Sequence, residues 1–306
     1  VNEPLGNNGQ WESMHFTPET QKRFVRDHLG PLLKKENINV SLLMLDHARD
    51  QLELWADTLY SDPQTAKYLY GAAVHWYEST VNVFEDVFEQ VHQKYPNFAI
   101  IHTEGCIDNL GNDAPDGVLD PLGYKESGWF GNDSFWWNRS ASDWAYSATW
   151  PGVDASEHPL YVPVHRYVKN IIVSLDHWVS GWIDWNCVLD ERGGPNHVGN
   201  YCGAPIMIDY CAQQVYYTPV YYALAQLSRS IRPGDYAIKV ESLLSPDIKK
   251  NVCCCATVNS KKEYVIQLLN TDKVAHSVNI ELNGYVTEVE AMANSLSTIT
   301  IQCLGI

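Results

Sequence analysis

From Val1 to about Ala225, short apolar runs alternate with longer segments of helical period, the pattern of βα units built around a parallel sheet. Four runs stand out: Val40 to Asp46, Gly71 to Tyr77, Phe98 to Glu104 and Ser180 to Asn186. Each is apolar through its body and ends in polar or aromatic residues, as buried strands do when they deliver functional side chains at their C-terminal ends. The chemistry is therefore expected at one face of the sheet. Between these runs the pattern predicts helices over Gln21 to Lys35, Asp50 to Leu59, Val81 to Tyr95 and Tyr161 to Val179. The first carries an N-cap at Thr17 followed by Pro18 at the first helical position. The third aligns Val83, Val87, Phe88 and Val91 on one side.

Two stretches depart from this rhythm. Asp108 to about Pro163 is rich in Gly, Asp, Asn, Ser and Pro and carries five tryptophans, Trp129, Trp136, Trp137, Trp144 and Trp150. A connection this long inside a compact domain is functional or disordered, and the aromatics argue against disorder. After about Leu227 the period changes to two: Val278, Ile280 and Leu282 alternate with polar residues, as do Ile299, Ile301 and Cys303. With turns between them, these segments predict an antiparallel sandwich. The expected organisation is a βα domain over residues 1–227 and a β-sandwich over 228–306.

Composition narrows the class. At 306 residues the chain can bury a sizeable core, and 45% hydrophobic with 19% charged residues excludes a disordered or collagen-like protein. The net charge of −16 repels phosphate backbones and anionic headgroups, which argues against nucleic acid as a partner. No apolar stretch reaches the length of a membrane span, and the first residues do not read as a signal peptide. The eight cysteines form no C-x-x-C pair and no disulfide framework. The run Cys253-Cys254-Cys255 invites a metal or redox reading, but small apolar residues in a strand are the better account of it. Sequons at Asn39, Asn132 and Asn138 would accept glycans in a secretory pathway and do not by themselves set the compartment, although an extracytoplasmic one agrees with them.

Two carboxylates fit one kind of chemistry. Glu3 lies in Asn2-Glu3-Pro4, Glu104 ends an apolar run in Thr103-Glu104-Gly105-Cys106, and two complete strands fall between them. On the rim of a βα barrel such residues can face each other across the mouth. Glycoside hydrolysis needs that pairing, one carboxyl protonating the leaving oxygen while the other attacks the anomeric carbon. Spacing alone leaves ordinary surface or ion-paired glutamates equally open. Trp76, Tyr77 and Trp185 at strand ends offer flat faces for sugar rings, and Asn2, His75 and Asn200 offer groups for hydroxyls.

The motifs Asn2-Glu3-Pro4, Phe16-Thr17-Pro18-Glu19, Leu42 to Asp46, Asp62 to Tyr68, Val74-His75-Trp76-Tyr77, Thr103 to Cys106, Gly181 to Asn186 and Gly193 to Asn196 resemble glycoside hydrolase family 30, in particular its glucosylceramidase branch and bacterial relatives. The likeness runs through most of residues 1–232, apart from the Trp-rich segment, and more faintly into the sandwich. It implies an α/β chain in which a (β/α)8 TIM barrel, represented by its strand 4 to 8 half, adjoins an antiparallel β-sandwich. It also implies a retaining β-glucosidase for glucosylceramide or a related β-glucoside. Glu3 would be the general acid/base with a raised pKa, and Glu104 the nucleophile held ionised by hydrogen bonding. Asn2 would bind the sugar 2-hydroxyl, Trp185 and Asn200 would contact the sugar, His75 and Tyr77 would support the nucleophile, and Arg49 would lie near the pocket. No metal or redox cofactor is required. Since the resemblance begins at strand four, strands one to three are expected from sequence outside this chain or from a partner chain. The Trp-rich segment after Glu104 is expected to reshape the aglycone side. β-Xylosidase, β-1,6-glucanase and transglucosidase activities use the same residues, and a carbohydrate-binding protein without turnover is the rival from another class.

Overall fold

The computed structural model describes residues 1–6, 12–79, 82–108, 163–195 and 202–302. Its central sheet holds four parallel strands. They are β1 (Leu42–Ala48), β2 (Leu69–His75), β3 (Ala99–Glu104) and, after the two-residue β4 (Ile107–Asp108), β5 (Val179–Trp182), in spatial order β1-β2-β3-β5. Parallel neighbours need crossovers, which helices supply: α1 (Leu52–Leu59) after β1, α2 (Glu85–Lys94) after β2 and α3 (Pro163–Asp176) ahead of β5. This is the parallel βα sheet that the alternating pattern predicts and the partial barrel that the family resemblance implies. β2 is buried along nearly its whole length, as a parallel strand covered on both faces must be. Gly71 explains how closely β2 and β3 approach, because a Cβ there would meet the Ala99 carbonyl oxygen at 2.1 Å.

The first helical stretch runs in three pieces, Pro18–Phe24, Val25–Leu29 and Gly30–Lys35, the middle one a π-turn. Thr17 caps its start, its hydroxyl accepting the Thr20 amide at 3.2 Å. The wide turn has a local reason. Pro31 has no N–H to give, and the Gly30 amide bonds back to the Val25 carbonyl. Between sheet and outer helices, Met44, Leu45, Leu52, Trp55, Val74, Phe88 and Ile100 form one core cluster. Trp76, Tyr167, Ile172, Met207, Val220 and Leu227 belong to a second. Each such side chain contributes roughly 1.5–3 kcal/mol when fully buried.

Residues after Trp182 hold strands that the hydrophobic pattern does not reveal: β6 (Val188–Asp190), β7 (Cys202–Gly203), β8 (Ile206–Asp209) and β9 (Gln214–Tyr217). β6 runs parallel to β8, β8 antiparallel to β9, and β7 pairs with β4. Strands of two to four residues are too short for a period to show. Helix α4 (Pro219–Ser230) follows.

The C-terminal strands are β10 (Tyr236–Ile238), β11 (Val252–Val258), β12 (Glu263–Asn270), β13 (His276–Leu282), β14 (Tyr285–Ala291) and β15 (Ser295–Gln302). One antiparallel sheet has the order β10-β11-β12-β15, and β13-β14 form a second. Val252 and Leu268 from the first share a core with Val278 and Ala291 from the second, so the sheets pack face to face as a sandwich. The other face of the larger sheet meets the barrel helices. Cys253 and Cys255 pack into the main core while Cys254 packs into the sandwich core, the two-residue alternation of a strand. All three thiols are free, and burial pushes Cys253 up to about 12 and Cys254 to about 11, so they stay protonated. Among the described residues no helix is long and apolar enough to cross a membrane.

Candidate active site

The rim of the parallel sheet gathers side chains from four places. Glu3 comes from the N-terminal segment, Asp46 from β1, His75 and Tyr77 from the end of β2, and Thr103 and Glu104 from the end of β3. Backbone geometry fixes the first two. Glu3, Leu45 and Asp46 have φ values of 44°, 68° and 66°, a left-handed conformation that non-glycine residues seldom adopt. The β1–β2 register shifts between Leu45 and His47, so a bulge turns Asp46 toward its neighbours. The Glu3 amide donates to the Asp46 carbonyl at 2.9 Å, which ties the two segments together.

His75 is the hub. Its ring is almost fully buried; Nδ1 lies 3.2 Å from Glu3 Oε1, Nε2 lies 3.1 Å from Asp46 Oδ1, and Nε2 is 4.0 Å from Glu104 Oε2. Burial alone would lower its pKa. Hydrogen bonds to Asp46 and Glu3 and the charge of Glu104 overcome that and raise it to about 9, which favours the protonated ring at neutral pH. Asp46 also accepts the Thr103 hydroxyl at 3.0 Å. Although burial opposes ionisation of Asp46, its bonds to His75 and Thr103 hold the carboxyl below the usual range.

Glu104 accepts the Tyr77 hydroxyl at 3.1 Å. Its pKa is raised: burial is the largest cause, the His75 charge and the Tyr77 bond pull the other way, and the charge of Glu3 adds to the rise. Hydrogen bonding is thus only part of what sets its ionisation. Oxygens of Glu3 and Glu104 lie within 4.8 Å of each other and of a His75 ring nitrogen. Distance alone would let this trio hold a metal ion, but an imidazolium with both nitrogens donating has no lone pair to offer. A second group, Glu191, Asp209 and Cys211, lies as close together; there Asp209 caps a turn by accepting the Ala212 amide, and Glu191 accepts the Tyr210 amide from a distant part of the chain.

Of the residues that the sequence singles out, Glu3, His75, Tyr77 and Glu104 come together. Asn2 directly precedes Glu3 and is partly buried. Trp185 is 44% exposed, and its amide donates to the Gly105 carbonyl at 2.9 Å, which keeps it beside Glu104. His75 turns out to contact Glu3 at hydrogen-bond distance and Glu104 only at longer range. Trp76 and Arg49 stand apart. Trp76 is fully buried, edge-on to both Tyr167 and Trp182, because successive residues at a strand end point to opposite sides. Arg49 is also fully buried, its guanidinium bound to Glu78, to Asn170 Oδ1 at 2.7 Å and to the Trp76 and Ser79 carbonyls. It holds the loop that carries Tyr77 and does not line the rim. Asn200 and most of the Trp-rich segment lie outside the described residues. Asp46 and Thr103 are the site residues that the functional reading passed over. The signal was present, since each lies in a motif at the C-terminal end of an apolar run.

Comparison with known proteins agrees with this arrangement. Residues 2–119 and 157–231, well over half of the chain, match the glycosyl hydrolase family 30 TIM-barrel domain. The lysosomal acid glucosylceramidase of Mus musculus is 30% identical over 239 residues, covering 78% of this chain and 39% of that protein. The chain spans less than half the length of the curated relatives it matches. Among solved structures, SrfJ from Salmonella typhimurium aligns with a TM-score of 0.74 at 22% identity, over 99% of this chain and 56% of that one. The endo-β1,6-glucanase BT3312 aligns with a TM-score of 0.70 at 22% identity, over 98% and 57%. These two likenesses concern the fold. With the ordered motifs, the partial barrel beside its sandwich and the two glutamates at the strand ends, the family match places this chain in glycosyl hydrolase family 30.

Proposed function

We propose that this chain carries the catalytic pair of a retaining β-glucosidase acting on glucosylceramide or a closely related β-glucoside. One observation carries the reading: carboxylate oxygens of Glu3 and Glu104 lie within 4.8 Å of each other. Retaining glycosidases place their carboxyls about 5–5.5 Å apart, whereas inverting ones leave about 6.5–9.5 Å for a water. In the first step an oxygen of Glu104 bonds to the anomeric carbon, the glycosidic C–O bond breaks, and the Glu3 proton passes to the leaving oxygen. In the second, water gives a proton to Glu3 and attacks the anomeric carbon, releasing Glu104 as carboxylate. Tyr77 orients Glu104, Asn2 binds the 2-hydroxyl, and Trp185 offers its exposed face to the sugar. Residues 1–227 form the catalytic half and 228–306 the supporting sandwich. The likeness to a glucosylceramidase at 30% identity favours the glycolipid over a β-1,6-glucan or xylan.

The test uses the protein expressed from its complete reading frame. Fluorescent glucosylceramide and an aryl β-glucoside are assayed side by side, with Glu104→Gln as control and a 2-deoxy-2-fluoro glucoside as covalent label. Turnover of both substrates, loss of turnover and labelling in Glu104→Gln, and retained labelling in Glu3→Gln with an activated leaving group are the expected results. Labelling that persists in Glu104→Gln overturns the nucleophile assignment. Cleavage of the aryl glucoside alone overturns the lipid assignment and keeps the carboxylate pair.

A further inference from the structure

Asp46 is not needed for the two-step reaction, yet the fold holds it with unusual care. It sits at the bulge of β1 with two successive left-handed residues, Leu45 and Asp46. Such backbone persists only where the surroundings over-determine it. Four segments do so here. The Leu45 amide, turned away from the ladder, donates to the buried Gln21 Oε1 at 3.1 Å from the first helical stretch. The Asp46 carbonyl receives the Glu3 amide, and Asp46 Oδ1 receives Thr103 Oγ1 from β3 and faces His75 Nε2 from β2.

We propose that Asp46 is a positioning residue for the hydrolysis proposed above: its carboxylate engages Nε2 of His75, so that the ring keeps both protons, points Nδ1–H at Glu3 and sets a positive charge between the two glutamates. Neutral imidazole would carry one proton, and one of its two contacts with a carboxylate would become a clash of lone pairs. A buried cation near Glu104 favours its ionised, nucleophilic form, which burial and the charge of Glu3 oppose. Among the described residues, the titratable groups around the ring include Glu3, Asp46, His47, Tyr77, Glu104 and His102, the last held neutral by burial; the charges of Glu104 and Asp46 favour the protonated ring. His47 is half-buried and held toward its neutral form, so it does not supply a competing cation.

The inference rests on the glucosidase reading for its catalytic meaning, and its test has an arm that needs no turnover. In the complete protein with 15N-labelled histidine, His75, assigned through a His75→Gln variant, is expected to show two protonated ring nitrogens at pH 7.5. In Asp46→Asn the amide can donate to Nε2 in the same geometry, and the ring is expected to lose that proton. A ring with one protonated nitrogen in the native protein overturns the proposal, whether or not Asp46→Asn folds. In the kinetic arm, loss of the imidazolium removes the charge that lowers the Glu104 pKa, so the acid limb of kcat/KM on an aryl β-glucoside moves to higher pH. A purely structural role would lower kcat and leave the limb in place, which also overturns the proposal. Doubly protonated His75 in a protein that cleaves no β-glucoside would sink the glucosidase reading while leaving the Asp46–His75 pairing intact.

Discussion

Replacing Arg49 with methionine tests whether this buried guanidinium is structural, and the size and pH dependence of the loss follow from its surroundings. Arg49 is fully buried, and Glu78, its ion-pair partner, has a side chain only 8% exposed. Removing one member of such a pair leaves the other charge uncompensated and costs about 3–5 kcal/mol. The Glu78 pKa is raised from 4.5 to about 7, because burial pushes it up by more than Arg49 pulls it down. A carboxyl whose folded pKa lies above its unfolded one stabilises the fold while protonated, below about 4.5, and that contribution disappears as pH rises through about 7. Without Arg49 the folded value climbs further and the cost of ionising Glu78 grows. The gap between native and Arg49→Met stability is therefore small near pH 5 and wide near pH 8. Urea unfolding followed by tryptophan fluorescence at both pH values measures it. The double variant Arg49→Met/Glu78→Leu, which removes the stranded charge, should recover much of the loss at pH 8. Equal losses at pH 5 and pH 8, or no recovery in the double variant, would refute the reasoning.

Two further perturbations probe other links. Tyr77→Phe deletes the hydrogen bond to Glu104; a bond to a charged acceptor contributes about 1.5–3 kcal/mol, so kcat on an aryl β-glucoside should fall roughly 10–100-fold. The Glu104 pKa should rise with that loss, so the acid limb of the pH–rate profile moves up; a limb that stays in place would show that the phenol does not act on Glu104. Gly71→Ala forces a Cβ to 2.1 Å from the Ala99 carbonyl, and β2 and β3 must separate to admit it. Its cost should reach at least the about 1–3 kcal/mol of an overpacked core, read as a lowered thermal midpoint, and native-like stability would mean the strands are spaced more widely than described.

The parallel strands, their helices and the alternating strands of the sandwich were legible because burial imposes a period, and a period can be read along one dimension. The paired glutamates were legible for a different reason: Glu104 ends an apolar run, but Asn2-Glu3-Pro4 was singled out by its place in an ordered set of family motifs. Strands β6 to β9 were not, because two to four residues carry no period. Side-chain direction at the rim also escaped a linear reading. His75, Trp76 and Tyr77 are consecutive, yet His75 reaches Glu3, Tyr77 reaches Glu104 and Trp76 enters the core, because neighbours on an extended backbone diverge. Arg49 and Asp46 exchanged importance in the folded chain. Arg49 looked like a pocket residue and is sealed behind the loop, while Asp46 looked like the end of a strand and is turned by a bulge onto His75. The sequence by itself determined the family, the order of the longer elements and the two candidate carboxylates. Only the tertiary structure decided which groups surround them, and hence where the protons sit, because ionisation depends on burial and on charges brought close by residues distant in the chain.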